Sequence, residues 1–179
     1  MKLKTPLRYP GGKSRAVPKL LQWLPSRKIT EYREPFLGGG SMAIEMTRRL
    51  PEEIPIWVND LYEPLYNFWV QLRDNGDYLH RELMRAKNFH PDEETAKKLF
   101  LDAKEQLNED NTDPKDRAVL FYIINKCSFS GLTESSSFSK AASNSNFSHR
   151  GIERLPEYSD LIQRWKITNV SYEELVSDE

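Results

Sequence analysis

Residues 38–40 are three consecutive glycines that stand between a predicted strand at 31–36 and a predicted helix at 41–50. Because glycine has no Cβ, such a turn lets the backbone approach a ligand closely, and the first turn of the helix offers free N–H groups. Asp60 follows the next predicted strand, at 56–59, where a carboxylate can accept hydrogen bonds from both hydroxyls of a ribose. The spacing predicts a nucleoside site, with a plain tight turn and a strand-end carboxylate as the alternative.

A second pair of glycines, Gly11 and Gly12, is followed by Lys13 and Ser14, as at the end of a phosphate-binding P-loop. The P-loop pattern places another glycine five positions before Gly12. Leu7 occupies that position, and no buried strand is predicted before it. The sequence therefore argues against a P-loop kinase or ATPase.

The elements around the glycine turn are typical of the start of a doubly wound α/β sheet, and an aromatic-rich helix at 64–73 continues them. Apolar spacing predicts four further helical segments, at 77–88, about 92–109, 114–126 and 153–164. A strand returns at 166–170. We therefore predict a sheet domain at 1–75 that resumes at 166–179, interrupted by a mostly helical insertion at 76–165.

Residues 127–150 differ in composition from the rest of the insertion. They are rich in serine and asparagine, with Phe129, Phe138 and Phe147 spaced through them. This stretch is too aromatic for a simple flexible linker. It predicts a loop or hairpin without helix.

The composition bounds the class of protein. With 38% hydrophobic and 30% charged residues, the 179-residue chain has enough apolar material for a core, which excludes a wholly disordered protein. No apolar run reaches the ~20 residues of a membrane span, and the N-terminus lacks the apolar region of a signal peptide. One cysteine and three scattered histidines give no metal-ligand spacing. We predict a cytoplasmic protein without membrane association or metal.

Charge is distributed unevenly along the chain. Residues 1–33 carry nine basic residues and one acidic residue, and residues 117–154 carry five basic and two acidic residues. Residues 34–116 and 155–179 are net acidic. The two basic blocks would bind a polyanion if they share one face, and ordinary solvated surface is the alternative.

Three motifs occur in a fixed order: Y-P-G-G-K at 9–13, E-P-F-L-G-G-G-S at 34–41 and N-D-L-Y at 59–62. Together they resemble the Dam-type DNA adenine N6-methyltransferases, and the resemblance covers essentially the whole chain. It implies an α/β fold with an incomplete Rossmann-like sheet of an S-adenosylmethionine-dependent methyltransferase. It also implies that the helical insertion recognises the target DNA.

The resemblance implies roles for eight cofactor-binding residues: Tyr9, Lys13, Phe36, Gly38, Gly40, Asp60, Ser171 and Tyr172. Tyr9 would cover the S-adenosylmethionine, and Lys13 would lie near its methionine end and the target base. Phe36 and the two glycines would shape the turn, and Asp60 would hold the ribose. Ser171 and Tyr172 would border the adenine of the cofactor.

The stretch N-K-C-S-F-S-G-L at 125–132 resembles the family's N-R-x-x-x-N-G-L, which leads into the part that reads DNA. This implies contacts with double-stranded DNA from Asn125, Lys126, Ser130 and Arg150. Lys126 replaces an arginine and loses its bidentate fork, and Ser130 replaces an asparagine, so the recognised sequence does not carry over. A mobile polar loop is the alternative.

The family's catalytic motif, D-P-P-Y, does not occur in these 179 residues. We therefore assign no catalytic residue and expect the N-terminal portion of a methyltransferase, inactive alone, with a C-terminal half in trans as a partner. One half of a split enzyme and a degenerate relic are the alternatives. A non-catalytic DNA-binding protein and a methyltransferase acting on RNA or protein are the competing functions.

Overall fold

A computed structural model of the chain shows a small parallel sheet surrounded by helices. Its three strands are β1 (Tyr32–Glu34), β2 (Ile56–Asn59) and β3 (Trp165–Thr168), in the order β1-β2-β3, and both neighbouring pairs are parallel. The structure describes residues 3–109, 111–131 and 136–177.

The described part of the chain contains ten α-helices. They are α1 (Val17–Leu20), α2 (Ser41–Arg49), α3 (Glu63–Asp74), α4 (Gly76–Phe89), α5 (Glu93–Leu107), α6 (Pro114–Cys127), α7 (Lys140–Asn146), α8 (His149–Ile152), α9 (Leu155–Leu161) and α10 (Glu173–Val176). Short 3₁₀ turns lie at Lys13–Arg15, Leu21–Trp23 and Phe129–Gly131. The mixed α/β class is therefore confirmed, with a sheet of three strands and mostly helices.

The helix α6 forms the centre of the hydrophobic core. Its apolar run packs against α3 and α5. Phe121 and Tyr122 of α6 contact Phe68 of α3, with ring centroids 5.7 and 6.0 Å apart. Because buried aromatic side chains contribute strongly to core stability, these contacts hold α6 firmly against α3.

The two ends of the helical insertion meet beside the sheet. The Arg73 guanidinium, near the end of α3, donates to the carbonyl of Trp165 at the start of β3 (2.7 Å). Gln163 donates from its side chain to the carbonyl of Arg73 (2.6 Å). The chain therefore leaves the sheet region and returns to it at nearly the same point.

Arg164 anchors this return point to α2. Its guanidinium donates to the carbonyls of Thr47 (2.7 Å), Leu50 (3.0 Å) and Ile54 (3.0 Å), and also to that of Pro51. The last carbonyls of a helix lack partners within the helix, and a cation at this end is favourable. Arg164 therefore fixes the entry into β3 relative to the helix that follows the glycine turn.

The prediction that residues 127–150 contain no helix is wrong. Residues Lys140–Asn146 form α7 and His149–Ile152 form α8. The serines that suggested a loop instead begin the helices, because Ser139 accepts from the N–H of Ala142 (3.2 Å) and Ser148 accepts from that of Gly151 (3.2 Å). Serine is a favoured residue at this N-terminal capping position.

Candidate functional site

A cavity of about 310 Å³ opens beyond the carboxyl ends of β1 and β2. Its walls are residues 9–13, Glu34, residues 36–42 and Asp60. This edge is where parallel α/β sheets bind their ligands. Six of the eight predicted cofactor-binding residues line it: Tyr9, Lys13, Phe36, Gly38, Gly40 and Asp60.

The glycine turn is held between two aromatic rings. Gly38 and Gly40 have φ values of 51° and 68°, a region that side chains with a Cβ rarely adopt. A Cβ on Gly38 would lie 3.0 Å from the Tyr9 ring, and one on Gly40 would lie 2.7 Å from the Trp69 ring. The Trp69 indole N–H donates to the carbonyl of Gly38 (3.0 Å). Conformation and space therefore both require glycine at these two positions.

Asp60 fixes the same turn from the end of β2. One carboxylate oxygen accepts from the N–H of Gly38 (2.8 Å), and the other accepts from the N–H of Tyr62 (3.1 Å). Sequence analysis placed Asp60 opposite a ribose but did not identify this positioning role. Its motif carried no signal for the role, because the hydrogen bond joins residues 22 positions apart.

Glu34 is a cavity residue that sequence analysis did not select, although it opens the E-P-F-L-G-G-G-S motif. It is only 9% exposed at the end of β1. The Tyr32 hydroxyl donates to its carboxylate (2.9 Å). Burial raises the pKa of Glu34 to about 7, while the Tyr32 hydrogen bond and the nearby charge of Lys13 oppose that rise. The cavity thus contains a carboxyl group and an ammonium group that interact through their charges.

Tyr9 covers the turn from the N-terminal arm, which is residues 3–15, and 40% of its surface is exposed. Burial of the hydroxyl and the negative charge of Asp60 both raise its pKa. The phenol therefore stays neutral at physiological pH and serves as an aromatic face and a hydrogen-bonding group.

Phe36 and Tyr172 form an exposed aromatic pair beside the cavity. Their ring centroids are 5.6 Å apart, and the side chains are 65% and 48% exposed. Ser171, also exposed, accepts from the N–H of Glu173 (3.4 Å) and lies at the start of α10. The structure therefore places the predicted residue Tyr172 next to Phe36, although residues 171 and 172 do not line the cavity itself.

Buried Asn59 joins the segments that carry this aromatic pair. Its amide N–H₂ donates to the carbonyls of Pro35 (3.2 Å) and Val170 (3.0 Å), and its amide oxygen accepts from the N–H of Val170 (3.0 Å). Sequence analysis quoted Asn59 within N-D-L-Y without giving it a role. The structure shows that it links the residues just before Phe36 and Ser171.

The four predicted DNA-contact residues divide into two buried and two exposed ones. Asn125 is 1% exposed and Lys126 is 9% exposed, whereas Ser130 and Arg150 are exposed. The Lys126 ammonium lies 5.1 Å from the centre of the Tyr122 ring. Burial and the positive charge of Arg8 lower the pKa of Lys126 to about 8. Of the four residues, only Ser130 and Arg150 are exposed enough for the predicted direct contact with DNA.

The N-terminal arm and the segment at residues 128–131 lie against each other. The side chain of Arg8 donates to the carbonyl of Ser128 (2.7 Å). Its backbone N–H donates to the side-chain oxygen of Asn125 (2.9 Å). Leu132 of the quoted 125–132 stretch lies outside the described residues.

Within 3–109, 111–131 and 136–177, no three His, Cys, Asp or Glu side chains cluster in a way that could hold a metal ion. None of the helices in these ranges is both long and apolar enough to cross a membrane.

Comparison with known sequences identifies relatives of the chain. Residues 9–179 match the family described as D12 class N6 adenine-specific DNA methyltransferase. The chain is 26% identical over 140 residues to the type II methyltransferase M.MjaIII of Methanocaldococcus jannaschii, covering 74% of this chain and 48% of that protein. It is 27% identical over 128 residues to the type II methyltransferase M1.LlaDCHI of Lactococcus lactis subsp. cremoris, covering 70% and 41%.

A DNA adenine methylase of Vibrio cholerae is 30% identical over 129 residues, covering 70% of this chain and 42% of that protein. The chain thus spans less than half the length of these curated relatives.

Proposed function

Because the chain belongs to the D12 class of N6 adenine-specific DNA methyltransferases, we propose that its cavity binds S-adenosylmethionine and that its basic face binds the DNA whose adenine is methylated. The three parallel strands then belong to a Rossmann-like sheet divided between 1–75 and 166–179, and 76–165 forms the target-recognition insertion. The observation that carries this proposal is the cavity at the strand ends, where the glycine turn, Asp60 and the Glu34–Lys13 pair converge.

The chemistry of the cavity fits the ribose of this cofactor. A carboxylate offers about four acceptor positions on its two oxygens, and backbone N–H groups of Gly38 and Tyr62 use one on each oxygen of Asp60. Each oxygen keeps capacity for one hydroxyl. Asp60 can therefore hold the turn and accept hydrogen bonds from both ribose hydroxyls.

The other end of the cavity fits the amino-acid part of the cofactor. Its methionine moiety carries an ammonium and a carboxylate, and Glu34 and Lys13 present the complementary charges. Charge-assisted hydrogen bonds are stronger than neutral ones. We therefore assign Glu34 to the ammonium and Lys13 to the carboxylate.

The exposed pair of Phe36 and Tyr172 fits the adenine ring of the cofactor. Two aromatic side chains whose centroids are 5.6 Å apart present a large apolar surface beside the ribose end of the cavity. Burial of such surface is favourable at roughly 25 cal/mol per Å². When bound, the cofactor supplies an electrophilic methyl group on its sulfonium, and the residues named here fix its orientation.

The DNA partner is argued from the exposed polar and basic residues around the 128–131 segment. Ser130 and Arg150 are exposed, and the N-terminal arm carries Lys4, Arg8, Lys13 and Arg15. Because each neutralised phosphate releases counterions, the logarithm of the DNA affinity should fall linearly with the logarithm of the salt concentration. Arg150→Ala should reduce the slope by about 0.9, the contribution of one phosphate. Arg81→Ala, an exposed arginine on α4, is the matched control and should leave the slope unchanged.

The cofactor assignment is tested by titrating S-adenosylhomocysteine into the protein in a calorimeter. Phe36→Ala should weaken binding about tenfold, on the order of 1.4 kcal/mol for a lost aromatic contact. Phe89→Ala removes a comparably exposed phenylalanine at the end of α4 and should not change the affinity. If the parent binds DNA but not the cofactor product, the chain acts as a non-catalytic DNA-binding protein instead.

A further inference from the structure

The buried side chain of Asn125 connects two parts of the molecule to which the proposed function gives different ligands. Its amide oxygen accepts from the N–H of Arg8 (2.9 Å), and its amide N–H₂ donates to the carbonyls of Arg8 (2.6 Å) and Gly131 (2.9 Å). Arg8 is 117 positions away in sequence. One amide group thus joins α6, the N-terminal arm and the end of the 128–131 segment.

Close packing reinforces the same contact. A Cβ on Gly131 would lie 2.6 Å from the Cβ of Arg8 and 2.7 Å from its carbonyl oxygen. The Arg8 side chain also donates to the carbonyl of Ser128 (2.7 Å). The arm and the segment are therefore in contact through backbone as well as side chains, and neither can shift far without the other.

The next residue of the arm reaches the cofactor cavity. Tyr9 follows Arg8, and its ring lies against Gly38 and lines the cavity. Its carbonyl accepts from the N–H of Gly12 (2.9 Å), which closes the turn that leads to Lys13. A displacement of Arg8 would therefore move the Tyr9 ring, which lies over the glycine turn. It would also move the turn at residues 9–12, which leads to the Lys13 ammonium.

The 128–131 segment combines backbone strain with exposure to solvent, so a ligand bound there can change its position. Ser130 and Gly131 have φ values of 60° and 74°, and Ser130 is exposed. A serine in the left-handed region carries backbone strain, which persists only when surrounding structure maintains it. Contact with DNA at this segment would supply further support for one arrangement.

We infer that Asn125 is a positioning residue that couples the two sites: DNA bound at the 128–131 segment holds Arg8, and Arg8 holds Tyr9 over the cofactor. This inference rests on the proposed function. It assigns to Asn125 a role through Arg8 rather than direct contact with a base or phosphate. Coupling between sites is reciprocal, so DNA tightens cofactor binding and the cofactor tightens DNA binding by the same factor.

The first test follows Tyr9 directly and needs no cofactor. The protein is labelled with 3-fluorotyrosine, and the ¹⁹F resonance of Tyr9 is assigned by its loss in Tyr9→Phe. A mixed-sequence DNA duplex at low salt should shift this resonance in the parent and leave it in place in Asn125→Ala. Asn67→Ala is the matched control, because buried Asn67 also donates across helices, to the carbonyl of Pro114 (2.8 Å), without touching the arm. It should retain the shift.

The second test measures the coupling. S-Adenosylhomocysteine affinity is determined with and without the duplex, and the expected tightening in the parent and in Asn67→Ala is about fivefold, the lower end of typical coupling. In Asn125→Ala the ratio should fall below about twofold. If Asn125→Ala does not fold, the isosteric Asn125→Asp replaces it: this variant keeps the acceptor for the Arg8 N–H, loses the donors to the carbonyls of Arg8 and Gly131, and should show a reduced ratio.

The outcomes separate this inference from the proposed function. A parent that binds no S-adenosylhomocysteine contradicts the cofactor assignment, whereas the Tyr9 resonance still decides whether Asn125 transmits the DNA contact. The inference is overturned if DNA causes no Tyr9 shift in the parent. It is also overturned if Asn125→Ala, or Asn125→Asp in its place, retains either the shift or the full affinity ratio.

Discussion

The glycine turn and the 128–131 segment both contain two residues with positive φ, but their surroundings differ. In the turn, both positions are glycines, Gly38 and Gly40, and both are buried under aromatic rings. In the segment, one position is the exposed Ser130 and the other is Gly131. Left-handed backbone conformation costs glycine little, whereas other residues in sparsely populated regions carry on the order of 1–3 kcal/mol of strain.

This difference teaches how the two halves of the site work. The cavity proposed for the cofactor is held in shape by the protein itself, because Asp60 and Trp69 bind the Gly38 peptide by hydrogen bonds. The segment proposed to meet DNA keeps an exposed residue in a strained conformation, which an external contact can stabilise. Five predictions test this contrast.

The largest effect is expected for Gly40→Ala. The new Cβ would lie 2.7 Å from the Trp69 ring at a φ of 68°, so overpacking and backbone strain should together cost about 2–4 kcal/mol. Urea unfolding measures the change in the free energy of unfolding. Gly11→Ala is the control, since Gly11 has a φ of 71° with nothing within 4 Å of its Cβ position, and it should lose only about 1 kcal/mol. Equal losses would show that the turn is not tightly packed.

Asp60→Ala should give the next largest effect. It removes a carboxylate that accepts from Gly38 and is proposed to hold the ribose. Hydrogen bonds to charged groups contribute about 1.5–3 kcal/mol, so S-adenosylhomocysteine affinity should fall about 10- to 150-fold by calorimetry. Asp102→Ala, on α5, should bind like the parent. Unchanged affinity in Asp60→Ala would contradict the ribose assignment.

Glu34 should make the cofactor side depend on pH. The carboxylate binds the cofactor ammonium only when ionised, and the pKa of Glu34 is about 7. S-Adenosylhomocysteine affinity should therefore rise about tenfold between roughly pH 6 and 8, as expected for one titrating group, and Glu34→Gln should abolish this rise. Calorimetry across that range measures both. If the affinity of the parent depends on pH in the same way as that of Glu34→Gln, Glu34 does not bind the cofactor ammonium.

Without ligand, the same group has the opposite effect on stability. The folded-state pKa of Glu34, about 7, lies above its ordinary value of 4.5. Its protonated form is therefore the one favoured on folding. The contribution to the free energy of unfolding is full below pH 4.5 and is lost as the pH rises through about 7. Glu34→Gln should show a flatter dependence in that window.

The smallest effect is expected for Ser130→Asn. Asparagine adopts the left-handed region more readily than serine, so relief of strain should raise the free energy of unfolding by about 0.5 kcal/mol. Ser145→Asn, within α7, offers no such relief and should not stabilise the fold. A destabilised Ser130→Asn variant would show that the segment is as closely fitted as the glycine turn.

Sequence reasoning predicted six residues that line one cavity because their determinants are local. The glycines at 38–40 follow a strand, and Asp60 follows the next one, so the parallel arrangement brings them to one edge. The strand at Ile56–Asn59 was predicted residue for residue.

The rest depended on contacts that no local pattern encodes. Asn125 looked like a polar residue for DNA, but its partners Arg8 and Gly131 could be known only from the fold. Lys126 was predicted to contact DNA because it occupies the arginine position of the family's stretch, yet it is only 9% exposed on α6, at the centre of the core. In α7, Ser139 was read as loop composition although it caps a helix.

The junction at Arg73, Arg164 and Trp165 has a consequence for how such a protein can change. Both ends of the insertion are tied beside the sheet, and Arg164 is bound to the carbonyls that end α2. Length can be added or removed between these ends without altering the distance that the chain must span. Loops within 76–165 can therefore be lengthened or shortened while both ends of this segment stay beside the sheet, provided that the Asn125 contact with Arg8 is kept.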